Sequence, residues 1–190
     1  MTKVGILVGS ARTGSYNRLL ANRIAAAIEA SGGAVWTPDD AIDLPIFHAD
    51  REREAFPEAA ETLKCGLAGC QALVFVSPEY NGSVSPLIKN MIDWASRSTQ
   101  GEPPLTLAAF KGKPTLLASA SMGAFAGVRA IGHLREIAQA IQVIALPEEI
   151  RLPAAMTAFD ADGALTNQAV AGQIDAVAAR LLDIARKLAA

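Results

Sequence analysis

The stretch that most constrains the fold is Ala72-Leu73-Val74-Phe75-Val76 running into Ser77-Pro78-Glu79-Tyr80-Asn81-Gly82-Ser83. Five apolar residues without alternation read as a strand buried on both faces of a parallel sheet. Pro78 and Asn81-Gly82 then break the strand, and Leu87, Ile88, Met91, Ile92 and Trp94 follow at helical spacing. Strand, loop and helix in that order belong to an open α/β sheet, where loops leaving the carboxyl ends of strands bind ligands. The loop suits a flat aromatic ligand: Tyr80 offers a ring face, Asn81 and Ser83 offer hydrogen bonds, and Gly82 admits close main chain. It reads equally as a tight turn with an exposed tyrosine.

The same alternation recurs along the chain. Val4 to Val8 is a second unalternating apolar run, followed by a polar loop and a helix from Asn17 to Ala30. Ala34-Val35-Trp36 is a weak strand, Leu44 to His48 an irregular connection, and Pro57 to about Gly69 a helix. Gln100 to Phe110 reads as a connection, Pro114 to Ala118 as a fourth strand and Gly127 to Ala140 as a helix. Gln142 to Leu146 is a fifth strand, and the last helix spans about Asn167 to Leu188. The expectation is one domain over 1–190: an α/β, five-stranded parallel doubly wound sheet with helices on both faces.

Composition narrows the function. With 51% hydrophobic residues, 19% charged and a net charge of −2, the chain expects a large core and no electrostatic footprint for nucleic acid. Cys65 and Cys70 fall in one helix, too few and too close for a disulfide framework, and no second Cys/His pair completes a zinc site. The amino-terminal apolar run is too short for a signal peptide, and the uncharged stretch between Lys113 and Arg129 is too short to span a membrane. The expectation is a cytoplasmic protein.

Gly9-Ser10-Ala11-Arg12-Thr13-Gly14-Ser15-Tyr16-Asn17 opens a helix and reads as an anion site. Main-chain N–H groups, the hydroxyls of Ser10 and Ser15, the Asn17 amide and the Arg12 guanidinium would meet a phosphate there. A P-loop is excluded because Ser15 stands where the lysine belongs, and the glycine spacing is wrong for a dinucleotide fingerprint. A third loop, Ser119 to Gly127, is small and polar and suits the edge of a bound ring, with Met122 and Phe125 as packing or wall residues. Arg129 reads as a structural ion-pair partner. His48 and His133 read as surface or packing residues, Asp39, Asp40, Asp43, Glu148 and Glu149 as solvated surface, and no residue as a nucleophile, general base or metal ligand.

Two motifs carry a resemblance. Gly9-Ser10-x-Arg12-x-x-Ser15-x-Asn17, with Ser77 to Ser83 followed by Leu87-Ile88-Lys89-Asn90-x-Ile92-Asp93-Trp94-x-Ser96-Arg97, resembles the NADPH-dependent FMN reductase family, which includes quinone, chromate and azo-dye reductases. The resemblance covers Lys3 to about Leu146. It implies a single flavodoxin-like domain with non-covalent FMN, NADPH or NADH as co-substrate, a small-molecule electron acceptor, and a homodimer or homotetramer assembled near the Leu87–Arg97 helix. By position it assigns Ser10, Arg12, Ser15 and Asn17 to the phosphate. Pro78, Glu79, Tyr80, Asn81 and Gly82 would line the isoalloxazine, with Ser83 beside them, and Ser121 and Gly123 would come from the third loop. One departure is Ala126-Gly127 where family members often carry Gly-Gly before the arginine. The activity implied is hydride transfer from NAD(P)H to FMN followed by reduction of the acceptor. Rival readings are a flavodoxin-type electron carrier, a reductase that supplies reduced FMN to a monooxygenase, and a relative that shares the fold alone.

Overall fold

The computed structural model describes residues 1–99 and 101–189, with the side chains of Asp39 and Asp40 outside it. Gln100, where the expected connection starts, and the solvation of Asp39 and Asp40 lie outside the described residues.

Strands β1 (Lys3–Val8), β2 (Ala34–Trp36) and β3 (Ala72–Val76) pair in parallel, and β3 is followed by a small hairpin, β4 (Glu79–Tyr80) and β5 (Ser83–Val84). Strands β6 (Pro114–Ala120) and β7 (Ile144–Leu152) complete a five-stranded parallel sheet in the order β2-β1-β3-β6-β7. Leaving out the hairpin, this is the flavodoxin-like order. Helices α1 (Tyr16–Ala30), α2 (Ala49–Glu54), α3 (Glu58–Ala68), α4 (Pro86–Ala95), α5 (Val128–Ala140) and α6 (Gln168–Leu188) connect and close it.

Alternate strand residues feed two cores. Val4, Ile6 and Val74 pack with Leu20, Ile24 and Ile28 of α1 and Leu181 and Leu182 of α6. Leu7, Leu73, Phe75 and Leu117 pack with Leu63 and Leu67 of α3, Ile88 and Ile92 of α4, and Leu134 of α5. Both faces of the sheet are thus covered, which is why its strands read as unbroken apolar runs.

Three expectations need correction. The fifth strand is not Gln142–Leu146 but Ile144–Leu152, with an irregularity in its pairing between Thr115 and Leu117 of β6. Pro147 and Glu148-Glu149 looked like a strand end, yet an edge strand tolerates proline and charge. Those glutamates are not free surface: Glu149 pairs with Arg135 and Arg151, and Glu148 with Arg180. Strand β6 also runs two residues past Ala118, to Ala120.

The connection from Leu44 contains the short helix α2, which buries no residue and so left no periodic signal. His48 is its N-cap, Nδ1 accepting from the Arg51 N–H at 3.2 Å. A strap from Leu44 to Phe56 is fastened along α4. Asn90 donates to the carbonyls of Leu44 and Pro45 (3.2 and 3.0 Å) and accepts from the Phe47 N–H (2.9 Å). Trp94 Nε1 donates to the Pro45 carbonyl at 2.7 Å, and its ring meets Phe47 and Phe56 edge-on. Arg97 pairs with Glu52 and lies over the Phe47 ring. Along the Leu87–Arg97 stretch, near which the resemblance places the assembly, Asn90 of α4 and Arg97 just past its end are therefore spent inside the chain, while Lys89 and Asp93 pair with each other.

Candidate cofactor cleft

Three chain segments meet above the carboxyl ends of β1, β3 and β6. They line a cleft of about 280 Å³ with Ser10, Arg12, Ser15, Tyr16, Asn17, Pro78, Glu79, Tyr80, Ala120, Ser121 and Met122.

The first wall is the loop from Gly9 into α1. Gly9 donates to the Val76 carbonyl at 2.8 Å, and a Cβ there would lie 2.3 Å from Ser85 Oγ, so only glycine passes the start of α4. Ser15 caps α1, its hydroxyl accepting from the Arg18 N–H at 3.4 Å. Among the described residues, the N–H groups of Tyr16 and Asn17 meet no acceptor, as expected at a helix start. Ser10 is 4% exposed, its hydroxyl has no hydrogen-bond partner among the described residues, and it lines the cleft. These donors fit a phosphate. The Arg12 guanidinium turns back on its own loop, donating to the carbonyls of Thr13 and Gly14 at 3.0 Å each, 5.5 Å from the Tyr16 ring centroid.

Asn17 departs from expectation. Its amide does not point freely at an anion: Nδ2 donates to the Ala120 carbonyl and Oδ1 accepts from the Ala120 N–H, both at 2.9 Å.

The second wall is the hairpin. Asn81 (φ 50°) and Gly82 (φ 74°) both sit in the left-handed region, the pair of conformations a two-residue turn between twisted strands requires. The tight-turn reading thus describes Asn81 and Gly82, and neither they nor Ser83 line the cleft. Ser83 instead bonds through Oγ to His133 Nδ1 at 2.8 Å on α5. Pro78, Glu79 and the 48%-exposed Tyr80 remain as wall.

Glu79 lines the cleft but its carboxylate is committed. Gly127, at the start of α5, has no side chain to cap it, and Glu79 takes that place. Its Oε2 accepts from the Arg129 N–H at 3.1 Å, and its Oε1 from the Arg129 guanidinium at 2.7 Å. Burial works to raise the Glu79 pKa, but the hydrogen bonds from the Arg129 side chain and from the N–H groups of Arg129 and Ala130 outweigh it. The carboxyl is held below its ordinary value. Arg129 is the ion-pair partner expected.

The third wall is Ala120, Ser121 and Met122. Gly123 does not line it; its N–H donates to Ser121 Oγ at 3.2 Å. Phe125 is 71% exposed under the Arg129 guanidinium, and Met122 66%. Tyr16 and Ala120 are wall residues that the sequence did not single out. The adjacency of Tyr16 to the N-cap was the available signal. Among the described residues no cluster of His, Cys, Asp or Glu can hold a metal ion, and no helix is long and apolar enough to cross a membrane.

With the cleft placed, comparison with known proteins decides the family. Residues 2–157 match the NADPH-dependent FMN reductase family. The chain belongs to it. An NAD(P)H-dependent FMN reductase of Pseudomonas aeruginosa is 37% identical over 170 residues, 86% of this chain and 84% of that protein. A quinone reductase of Escherichia coli K12 is 39% identical over 136 residues, 71% of this chain and 68% of that protein. The solved structure of FerB, a flavoenzyme NAD(P)H:(acceptor) oxidoreductase from Paracoccus denitrificans, superimposes with a TM-score of 0.82 at 28% identity, covering 98% of each chain. The Gly9–Asn17 loop and the hairpin of this FMN reductase family member lie within the matched residues.

Proposed function

We propose that the chain is an NAD(P)H-dependent, FMN-containing oxidoreductase that reduces quinones or similar small acceptors such as chromate, azo compounds or free flavin. The observation that carries this is the convergence of a donor-lined loop, an aromatic wall and a small-residue wall on one cleft. Family membership and the quinone reductase relative support it.

Ser10, Ser15, Arg12 and the N–H groups of Tyr16 and Asn17 would hold the phosphate of FMN. Pro78, Glu79 and Tyr80 would flank its ring, and Ser121 and Met122 would close its edge. Asn81, Gly82 and Ser83 act through the hairpin and Gly123 through its bond to Ser121. When bound, the flavin supplies the redox chemistry by accepting a hydride and passing on two electrons. The chain's part is to bind, to orient and to limit water. The cleft lining holds no His or Cys, and its one carboxylate serves α5, so no side chain acts as nucleophile or general base.

A single flavodoxin-like domain, a cytoplasmic location and assembly into a homodimer or homotetramer belong to the same proposal. Sedimentation velocity tests the assembly, and a monomer would end it. A yellow protein that keeps FMN through gel filtration and oxidises NAD(P)H faster with added quinone is the expected result. FMN binding without NAD(P)H oxidation would favour an electron carrier. FMN lost on gel filtration, with turnover dependent on added flavin, would make flavin a substrate. Colourless protein with no flavin affinity would overturn the proposal.

A further inference from the structure

We infer that Asn17 is a positioning residue that takes the place of strand β3 at the rim of the sheet and thereby fixes the span of the cleft. The inference rests on the cleft being the flavin site.

In a parallel ladder, one residue's N–H and C=O face one neighbouring strand and the next residue's face the other. Along β6, the Ala118 carbonyl accepts from the Ser77 N–H at 3.0 Å, on the side of β3. Ser121 bonds on the side of β7, its N–H to the Leu152 carbonyl at 3.0 Å and its C=O to the Ala155 N–H at 3.1 Å. Ala120, two residues beyond Ala118, faces β3 again. By then β3 has left. Its last paired residue is Val76, Pro78 has no N–H to give, and Glu79 already pairs with Val84 in the hairpin.

The departure of β3 opens the cleft and strips Ala120 of both its hydrogen-bond partners. Asn17 supplies them. Its Oδ1 and Nδ2 meet the Ala120 N–H and C=O at 2.9 Å each, which is what a strand residue would offer. Asn17 is 4% exposed, so water does not readily replace either bond. Neighbouring residue types fail at this task. Asp lacks the donor, Ser lacks the reach for both bonds, and Gln adds a methylene.

Asn17 is the second residue of α1, two beyond the Ser15 cap, and Ala120 is followed by Ser121 and Met122. The paired bonds therefore join the phosphate wall to the third wall across 103 residues of chain. One amide N–H of Asn17 is left over, so direct phosphate contact is the rival role.

The two roles separate experimentally. Amide hydrogen exchange on the flavin-free protein is read at Ala120 in wild type, Asn17→Ala and Asn17→Asp, alongside titration with FMN and with riboflavin, which lacks the phosphate. In Asn17→Ala the Ala120 amide should exchange on the order of tenfold faster. Asn17→Asp keeps the acceptor and should preserve that protection; it also serves as the readout should Asn17→Ala not fold. Both flavins should lose affinity by the same factor in Asn17→Ala. Unchanged Ala120 exchange in Asn17→Ala would overturn the inference. So would a loss confined to FMN with riboflavin binding intact, which would make Asn17 a phosphate ligand. If the wild type binds neither flavin, the cofactor reading fails, and Ala120 exchange still decides whether the clamp exists.

Discussion

Arg12 spends two donors on the carbonyls of Thr13 and Gly14, yet it is the basic side chain of a loop otherwise made of hydroxyls and main-chain donors. Arg12→Ala should weaken FMN binding by about 1.5–3 kcal/mol, the scale of a charge-assisted hydrogen bond left unmade. It should also narrow the preference for FMN over riboflavin, both measured by fluorescence titration. An unchanged titration would take the phosphate away from this loop. Glu79 makes the complementary case, because its pKa is depressed. The latch it forms with Arg129 and the start of α5 is fully present above the ordinary value of 4.5 and is lost as pH falls through the lower folded value. Glu102, lowered by its hydrogen bond to Lys64, adds to the same window. Stability should therefore drop below about pH 4.5, and the drop should be shallower in Glu79→Gln, as urea unfolding at stepped pH will show. Ser10, Ser15 and Pro78 to Tyr80 were legible as cleft-lining residues because hydroxyls before a helix and a ring after Pro carry their chemistry in their type. Asn17 was legible as a residue of the cleft but not in its bonds to Ala120. Those bonds depend on where β3, whose last paired residue Val76 is 59 residues on, leaves the sheet, which no local pattern records.

At the scale of elements, the apolar runs announced the sheet because both its faces are buried, and the hairpin hid because its two-residue strands are too short for any period. Asn81-Gly82 was its one signal, and the sequence left turn and ligand loop as open alternatives. Helix α4 misled for a different reason. Its polar residues at helical spacing look like a wet face, but Asn90, and Arg97 just past the helix end, reach sideways to a strap with no periodicity of its own. Asn90→Ala leaves the Leu44 and Pro45 carbonyls and the Phe47 N–H without that partner. It should cost roughly 2 kcal/mol in urea unfolding. Limited trypsin digestion should then cut sooner after Arg51 and Arg53 in α2, which buries nothing. Unchanged cleavage would mean that the aromatic contacts to Trp94 hold the strap unaided.

Over the whole molecule, loop, hairpin and third wall close on one cleft, and the hairpin covers one side of it. Donor and acceptor must then use the same remaining side in turn. Parallel double-reciprocal lines for NAD(P)H at several quinone concentrations are expected, with a planar inhibitor competing against both. Intersecting lines would reveal a second binding surface elsewhere on the chain. The strap has a consequence of another kind. The chain has two tryptophans, and Trp94 is fully buried, with two aromatic edges against its ring and its indole N–H held by a carbonyl at 2.7 Å. Its fluorescence is therefore a native optical gauge of strap attachment. Lifting Leu44 to Phe56 off α4 would admit water to the indole and move the emission to the red, with no label added to the protein.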